Sequence, residues 1–344
     1  MNQYQKKQEE SGFSEDIQTK KGLQNKKIAF FHLPGLFEFY ELYKIFLPLW
    51  RQHRDWFYPW CEISSIYGAP ADSLWGGGRT SFGQASASSV INLMNEYGIS
   101  ARLTFSNSLL KNEHLTDKKC NELCRLFEKS GKNGDSAQYE SSGQKGKKQR
   151  TKPVKNGVIL HSDLLSSYLK EKYPGLYQVS STTKVLTSFN DFKAELDRPD
   201  FLYVVPDFRL NKCFDRLNSL SQEEKDKVEF LCNECCDFSC KNRKACYENV
   251  SRKNLGQEVP DHKCRAPGGE RGYSFSLAKK NPAFIGLKEI QEKYLPLGFS
   301  NFKIEGRGLG SAIVLEFLLY YLTKPDFQLE VREAVYLDSM LDLF

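Results

Sequence analysis

The sequence predicts an α/β fold, a (β/α)8 TIM-like barrel, on three observations. Eight short apolar runs recur along the chain, and each is followed by a stretch with helical spacing. Polar residues gather just after those runs, at the strand ends where barrels carry their working loops. A chain of 344 residues, 40% hydrophobic and 13% aromatic, has the length and apolar material to close such a barrel in one domain, here 28–344.

The runs justify themselves in order. Lys27–Leu33 is the first strand, and Pro34 opens an amphipathic helix to about Gln52. Trp60–Ile66 is the second, ending in Tyr67-Gly-Ala-Pro70 and the loop Trp75-Gly-Gly-Gly-Arg79. A helix from about Phe82 stops at Gly98, a C-cap, before the third strand, Ile99–Phe105. Thr116 and Asp117 cap a helix that carries Cys120 and Cys124 one turn apart, a spacing that reads as a buried helix face. Gly157–His161, Leu176–Ser180, Phe201–Val205 and Lys227–Cys232 are the fourth to seventh strands. Helices stand at Ser162–Tyr173, Asn190–Asp197 and near Asn211. After a cysteine-rich excursion come a helix at Leu287–Tyr294, the eighth strand Asn301–Ile304, and helices from about Leu309 and Leu329.

Charge is unevenly placed. The net charge is +6, but 130–156 holds seven Lys/Arg against Asp135 and Glu140, and Met1–Lys27 holds six lysines against four acids. Those two segments account for the surplus and leave the body close to neutral. Both are expected to be disordered: a polar tail over 1–27 and a basic insertion over 130–156. The insertion suits a weak electrostatic grip on RNA. Only Tyr139 interleaves its lysines, so base stacking is not expected. Met1–Lys27 has no signal-peptide core, and Ile28–Trp50 carries Glu38, Glu41 and Lys44, so no membrane partner is expected. The reading is a soluble, cytoplasmic protein in a reducing compartment.

Six of the ten cysteines fall between 232 and 265: Cys232, Cys235, Cys236, Cys240, Cys246 and Cys264. Thiolates so crowded without an export signal point to a metal before disulfides. Three, five and seventeen residues separate Cys236, Cys240, Cys246 and Cys264. Paired Cys-x-x-Cys knuckles are the zinc habit, and this irregular set suits a 4Fe-4S cluster better. Structural zinc and simple buried thiols are the alternatives. Cys236 is preferred over Cys235 because three intervening residues let it and Cys240 converge from one turn. Arg243, Lys244, Lys263 and Arg265 would help to stabilise the thiolates.

Strand ends give the site. Glu234, Glu305 and Arg307 are the catalytic candidates, and His32, Tyr67, Trp75, Arg79, Asn107 and Asp207 the substrate-binding ones. Ser162, Asp163, Ser180, Ser181 and Asn233 share that address. Guanidinium forks at Arg79 and Arg307 suit a carboxylate or phosphate, so the substrate is expected to be small and anionic. Lys303, one residue inside its strand, is left to face either way.

Phe302-Lys-Ile-Glu-Gly-Arg307, following Ile290–Gly298, resembles the Lys-Ile-Glu-Gly-Arg element of the collagenase-like peptidase family, in which a cysteine-bearing segment also precedes the element. The resemblance runs over roughly 28–322 and is motif-specific in the last third. It implies a barrel with a 4Fe-4S cluster on four cysteines, here Cys236, Cys240, Cys246 and Cys264. It also implies a reaction such as oxygen-independent hydroxylation of ubiquinone precursors or RNA, with prephenate implicated in some members and peptidase activity ascribed to others. The cysteine spacing departs from the usual family one, Cys232 and Cys235 compete as ligands, and the commoner family form is longer.

Other chemistries fit less well. A radical S-adenosylmethionine motif fails because its third cysteine position is Arg243. No Gly-x-Ser-x-Gly elbow or His-Glu-x-x-His helix is present. His161, Ser162 and Asp163 are adjacent and so do not face one another as a triad must. Three readings stand: an iron-sulfur enzyme acting on a small molecule or RNA, a non-catalytic binding or scaffold protein stapled by metal and docking a protein partner, and a peptidase.

Overall fold

The computed structural model describes residues 27–78, 83, 85–132, 154–260, 262, 264 and 273–341. In chain order they form β1 Ala29–Pro34, α1 Tyr40–Gln52, β2 Cys61–Gly68, α2 Ala87–Tyr97, β3 Ser100–Phe105 and α3 Lys118–Lys132. Then come β4 Gly157–Leu160, α4 Asp163–Lys172, β5 Tyr177–Ser180, α5 Phe189–Leu196 and β6 Phe201–Val204. The third quarter holds α6 Phe214–Asn218, α7 Gln222–Lys227, β7 Glu229–Leu231, α8 Arg243–Asn254 and α9 Phe275–Ala278. A helical run made of α10 Leu287–Glu289, a π turn at Ile290–Tyr294 and α11 Leu295–Leu297 leads to β8 Asn301–Lys303, α12 Ser311–Leu322 and α13 Gln328–Leu341.

The strands pair in parallel in the order β6-β5-β4-β3-β2-β1-β8-β7. A parallel bridge between Val204 and Val228 brings the two ends of the sheet together, giving the nearly closed (β/α)8 barrel that the alternation predicts. Each expected strand lies within two residues of an observed one. Helix caps follow their chemistry. Ser86 accepts from the Ser89 amide, Asp117 from the Cys120 amide, and Ser221 forms a capping box with Glu224. Gly98 ends α2 in the left-handed conformation at φ 66°. Cys120 and Cys124 are buried on one face of α3, as their spacing suggests.

Three expectations are corrected. Pro34 does not open a helix: it is the last residue of β1, opposite Tyr67, and Gly35 then turns the chain at φ 94°. A Cβ at Gly35 would meet the Phe39 ring at 1.9 Å, so that turn must finish before α1 starts at Tyr40. The next helix starts at Ala87 and not near Phe82, because Ser86 supplies the cap; Phe82 lies outside the described residues. The helix near Asn211 is a short turn at Phe208–Leu210 followed by α6 and α7. The expected tail at 1–27 and most of the insertion, 133–153, also lie outside the described residues.

Alternation divides the core. Phe31, Leu33, Ile66, Leu103, Leu160, Val204, Phe230 and Phe302 face the helices. Their neighbours turn inward and fill the barrel with an apolar cluster of Tyr67, Ile159, Val179, Val205 and Leu231. A polar group accompanies it. Lys303 faces inward and donates to Glu229 Oε1 at 3.0 Å, and Arg102 donates to Glu229 Oε2. His32 Nδ1 lies 2.8 Å from Ser65 Oγ, and its Nε2 is 3.6 Å from Glu229. Burial, then Arg102, pushes His32 down to about 3, so it is neutral. Burial lowers Lys303 to about 8 against the pull of Glu229. Burial alone would raise Glu229, but Arg102, His32 and Lys303 hold it below the carboxylate range.

Candidate metal and anion site at the barrel mouth

The loops after β7 and β8 are locked to each other. The Asn233 side chain donates to the Glu305 carbonyl at 3.0 Å and accepts from the Glu305 amide at 2.7 Å, extending the pairing of the two strands beyond their ends. Tyr273 donates to the Asn233 carbonyl at 2.5 Å, and Asn281 donates to the Glu234 and Cys236 carbonyls. The side chains of Glu234 and Glu305 are thereby aimed at one sulfur. Cys235 Sγ lies 3.5 Å from Glu234 Oε1 and 3.4 Å from Glu305 Oε1, while the Cys235 amide donates to Glu305 Oε2 at 3.1 Å. One donor atom from each of the three lies within 4.8 Å of the others.

The cysteine-rich excursion then folds back across the mouth. At the start of α8, Arg243 is buried and reaches three strand ends. It donates to Asp207 Oδ2 after β6 at 3.1 Å, to Glu234 Oε2 after β7, and to Thr182 Oγ1 after β5 at 3.2 Å. Tyr247, one turn on, also accepts from Arg243, and Phe208 packs under its guanidinium. Burial would lower Arg243, and Glu234 leads the neighbours that keep it charged. The far end of α8 is tied to the loop after β3, where Asn107 donates to the Ser251 carbonyl at 3.1 Å and Ser108 meets the Ser251 hydroxyl.

Arg307 and Glu38 form a second feature on the other side of the mouth. Arg307 Nε donates to Glu38 Oε1 at 2.6 Å, joining the loops after β8 and β1. Gly78 lies against the same guanidinium, and a Cβ there would stand 2.5 Å from Nη1. His161, at the end of β4, bonds Thr183 Oγ1 at 2.9 Å; burial, then Lys184, pushes it down to about 4.

The structure therefore gathers Asp207, Glu234, Glu305 and Arg307 at the mouth. His32 and Tyr67 sit deeper, inside the barrel, where Tyr67 donates to the Ile304 carbonyl at 2.6 Å and its ring meets Lys303. Trp75 is fully buried in the helix layer, donating to the His114 carbonyl and packing edge-on against Phe105 and Tyr168. Asn107 is buried and spends its amide on the Leu74 and Ser251 carbonyls. Arg79 lies outside the described residues. Sequence reasoning missed Arg243 as an ion-pair hub, and it missed Tyr273 and Glu38. It also missed Arg102 and Glu229, although a charge inside an otherwise apolar strand was a readable signal.

Beside Cys235, which is half-buried, the excursion carries Cys236 and Cys240 in the loop after β7 and Cys246 on α8, also half-buried, and Cys264, which is exposed. Their surroundings are cationic: Arg243 acts electrostatically on Cys236, and Arg209 donates to the carbonyls of Phe238 and Cys240. Among the described residues no three of these four sulfurs lie within 4.8 Å of one another, the spacing that a single zinc ion would need, so the four are not gathered as a preformed zinc site. No helix among the described residues is long and apolar enough to cross a membrane.

No protein-family model matches the chain, and no curated protein matches it. Among solved structures the chain is similar to the U32 peptidase Mk0906, at 12% identity and a TM-score of 0.46, over 81% of this chain and 93% of that one.

Proposed function

We propose that this chain is an iron-sulfur barrel enzyme, a distant relative of the collagenase-like peptidase family, that acts on a small anionic molecule or RNA. The observation that carries the reading is the path of the cysteine-rich excursion, which crosses the C-terminal mouth of the barrel beside Glu234, Glu305 and Asp207. Cys236, Cys240, Cys246 and Cys264 would hold the 4Fe-4S cluster, which supplies one-electron chemistry when bound. Arg307, half of whose fork is engaged by Glu38, orients a carboxylate; Arg243 keeps Glu234 and Asp207 in place and holds α8 over the mouth. The Lys-Ile-Glu-Gly-Arg element supports the family reading through Glu305 and Arg307. The basic insertion would add RNA as a substrate or partner through its lysines.

Anaerobic purification with absorption spectroscopy and iron and sulfide analysis tests this. Brown protein is expected, with iron lost on Cys→Ser at 236, 240, 246 or 264 and mostly retained on Cys235→Ser. A colourless protein with stoichiometric zinc would overturn it.

A second reading, a metal-stapled scaffold without catalysis, is favoured by one observation. The charges on Asp207, Arg209, Glu234 and Arg243 are largely spent on one another. It predicts that Arg79→Ala and Arg307→Ala leave carboxylate binding unchanged while Cys240→Ser lowers stability; loss of carboxylate binding in either arginine variant would exclude it.

A further inference from the structure

The residues between the two strand ends form a donor set that the four-cysteine reading does not use. We infer that Glu234, Cys235 and Glu305 form a separate binding site for a divalent transition-metal cation at the mouth of the barrel. Three facts carry this. First, the donors converge: Oε1 of each carboxylate lies within 3.5 Å of the Cys235 sulfur, and the three donor atoms sit within 4.8 Å of one another. The single S–H proton of Cys235 lies within reach of both carboxylates and can be shared between them, so one proton stands among groups that would otherwise repel one another. A cation performs the same task with more charge, displacing that proton from sulfur as it binds.

Second, the set is held before any ligand arrives. Glu305 Oε2 accepts the Cys235 amide, Glu234 Oε1 accepts the Cys236 amide at 3.0 Å, and the Asn233–Glu305 pair fixes the two backbones against each other. Pre-organised donors reduce the ordering that binding must impose. Third, the guanidinium that positions Glu234 is itself incomplete. Nε of Arg243 is buried and meets no acceptor among the described residues, in a side chain 1% exposed. A buried N–H without a partner is costly, and an oxygen of a ligand carried by the cation would supply the acceptor.

The donor types choose the cation. A single thiolate with two carboxylates is too soft for Mg2+ or Ca2+ and too poor in sulfur for an iron-sulfur cluster; zinc, and cobalt as its stand-in, accept mixed S and O donors. The ligand class that follows is a small carboxylate or hydroxy acid able to bind the cation and the Arg243 Nε together.

The test is a Co2+ titration of the anaerobically purified full chain, followed by absorption. A sulfur-to-cobalt charge-transfer band at one equivalent is expected. It should vanish in Cys235→Ser, weaken at least tenfold in affinity in Glu305→Gln, and persist in Cys236→Ser and Cys240→Ser. Glu305→Gln keeps the size and an acceptor for the Cys235 amide, so it reports on the site even if Cys235→Ser fails to fold. No band in the wild type, a band that survives Cys235→Ser, or a band lost equally in Cys236→Ser and Cys240→Ser would each overturn the inference. Iron and sulfide measured on the same samples report on the cluster separately, so the two readings fail independently.

Discussion

Two groups of buried charge share one axis of this barrel and are built on different plans. Inside, Arg102, Lys303 and His32 surround Glu229, so one carboxylate serves three basic side chains and all of them are sealed from solvent. At the mouth the ratio is reversed: Arg243 serves Asp207 and Glu234, with Glu305 and a thiol beside them. The inner group comes from residues on the strands themselves, whereas the mouth group comes from loops and a helix that returns from far along the chain. Charges fixed by strands serve the closure of the barrel, and charges fixed by loops are placed where a ligand can reach them.

Removing the hub of each group should separate the two. Glu229→Ala leaves Arg102 and Lys303 buried without their carboxylate and should cost about 3–5 kcal/mol of global stability, read by denaturant unfolding. Arg243→Met should cost less, about 2 kcal/mol, since Asp207 retains Arg209. Its signature should be local: faster hydrogen exchange over 233–254 while the strands stay protected. An equal rise in exchange throughout the barrel would erase the distinction drawn here.

Acid offers a third handle on the inner group. The unfolded chain binds a proton at His32 near 6.5, whereas the folded chain refuses it until about 3. Folding stability therefore falls as pH drops through that window, by up to about 1.4 kcal/mol per unit from this residue. His32→Gln should flatten that part of the profile, and an unchanged slope would assign the acid sensitivity elsewhere. The smallest effect belongs outside both groups. Lys170→Ala, which removes an exposed pair with Asp200, should change stability by less than about 0.5 kcal/mol in the same denaturant assay.

The strands were readable because short apolar runs are local signals, and Phe230 facing the helices beside inward Leu231 shows such a run buried on both faces. What defeated the reading was non-local. Pro34 has the features of a helix start, yet its neighbour on β2, Tyr67, draws it into the sheet. Arg243 reads as a cation that serves the neighbouring thiolates, and only the return of α8 across the mouth brings it to Asp207, 36 positions earlier. Trp75 stands beside a glycine-rich loop that looks open to ligand, but its indole is drawn into the helix layer by Phe105 and Tyr168. The candidate site was thus legible as a set of strand ends, and its internal wiring was not.

The incomplete join between β6 and β7 gives Arg243 one more role. Only the Val204–Val228 bridge ties these two staves within the sheet among the described residues. Near the lower end of the seam, Lys227, which ends α7 just before β7, donates to the carbonyls of Leu196 and Arg198 ahead of β6. At the upper end Arg243 grips Asp207 beyond one stave and Glu234 beyond the other. It works as a clasp on a split hoop. Without the grip of Arg243, the Val204–Val228 bridge and the Lys227 contacts would hold that seam between β6 and β7.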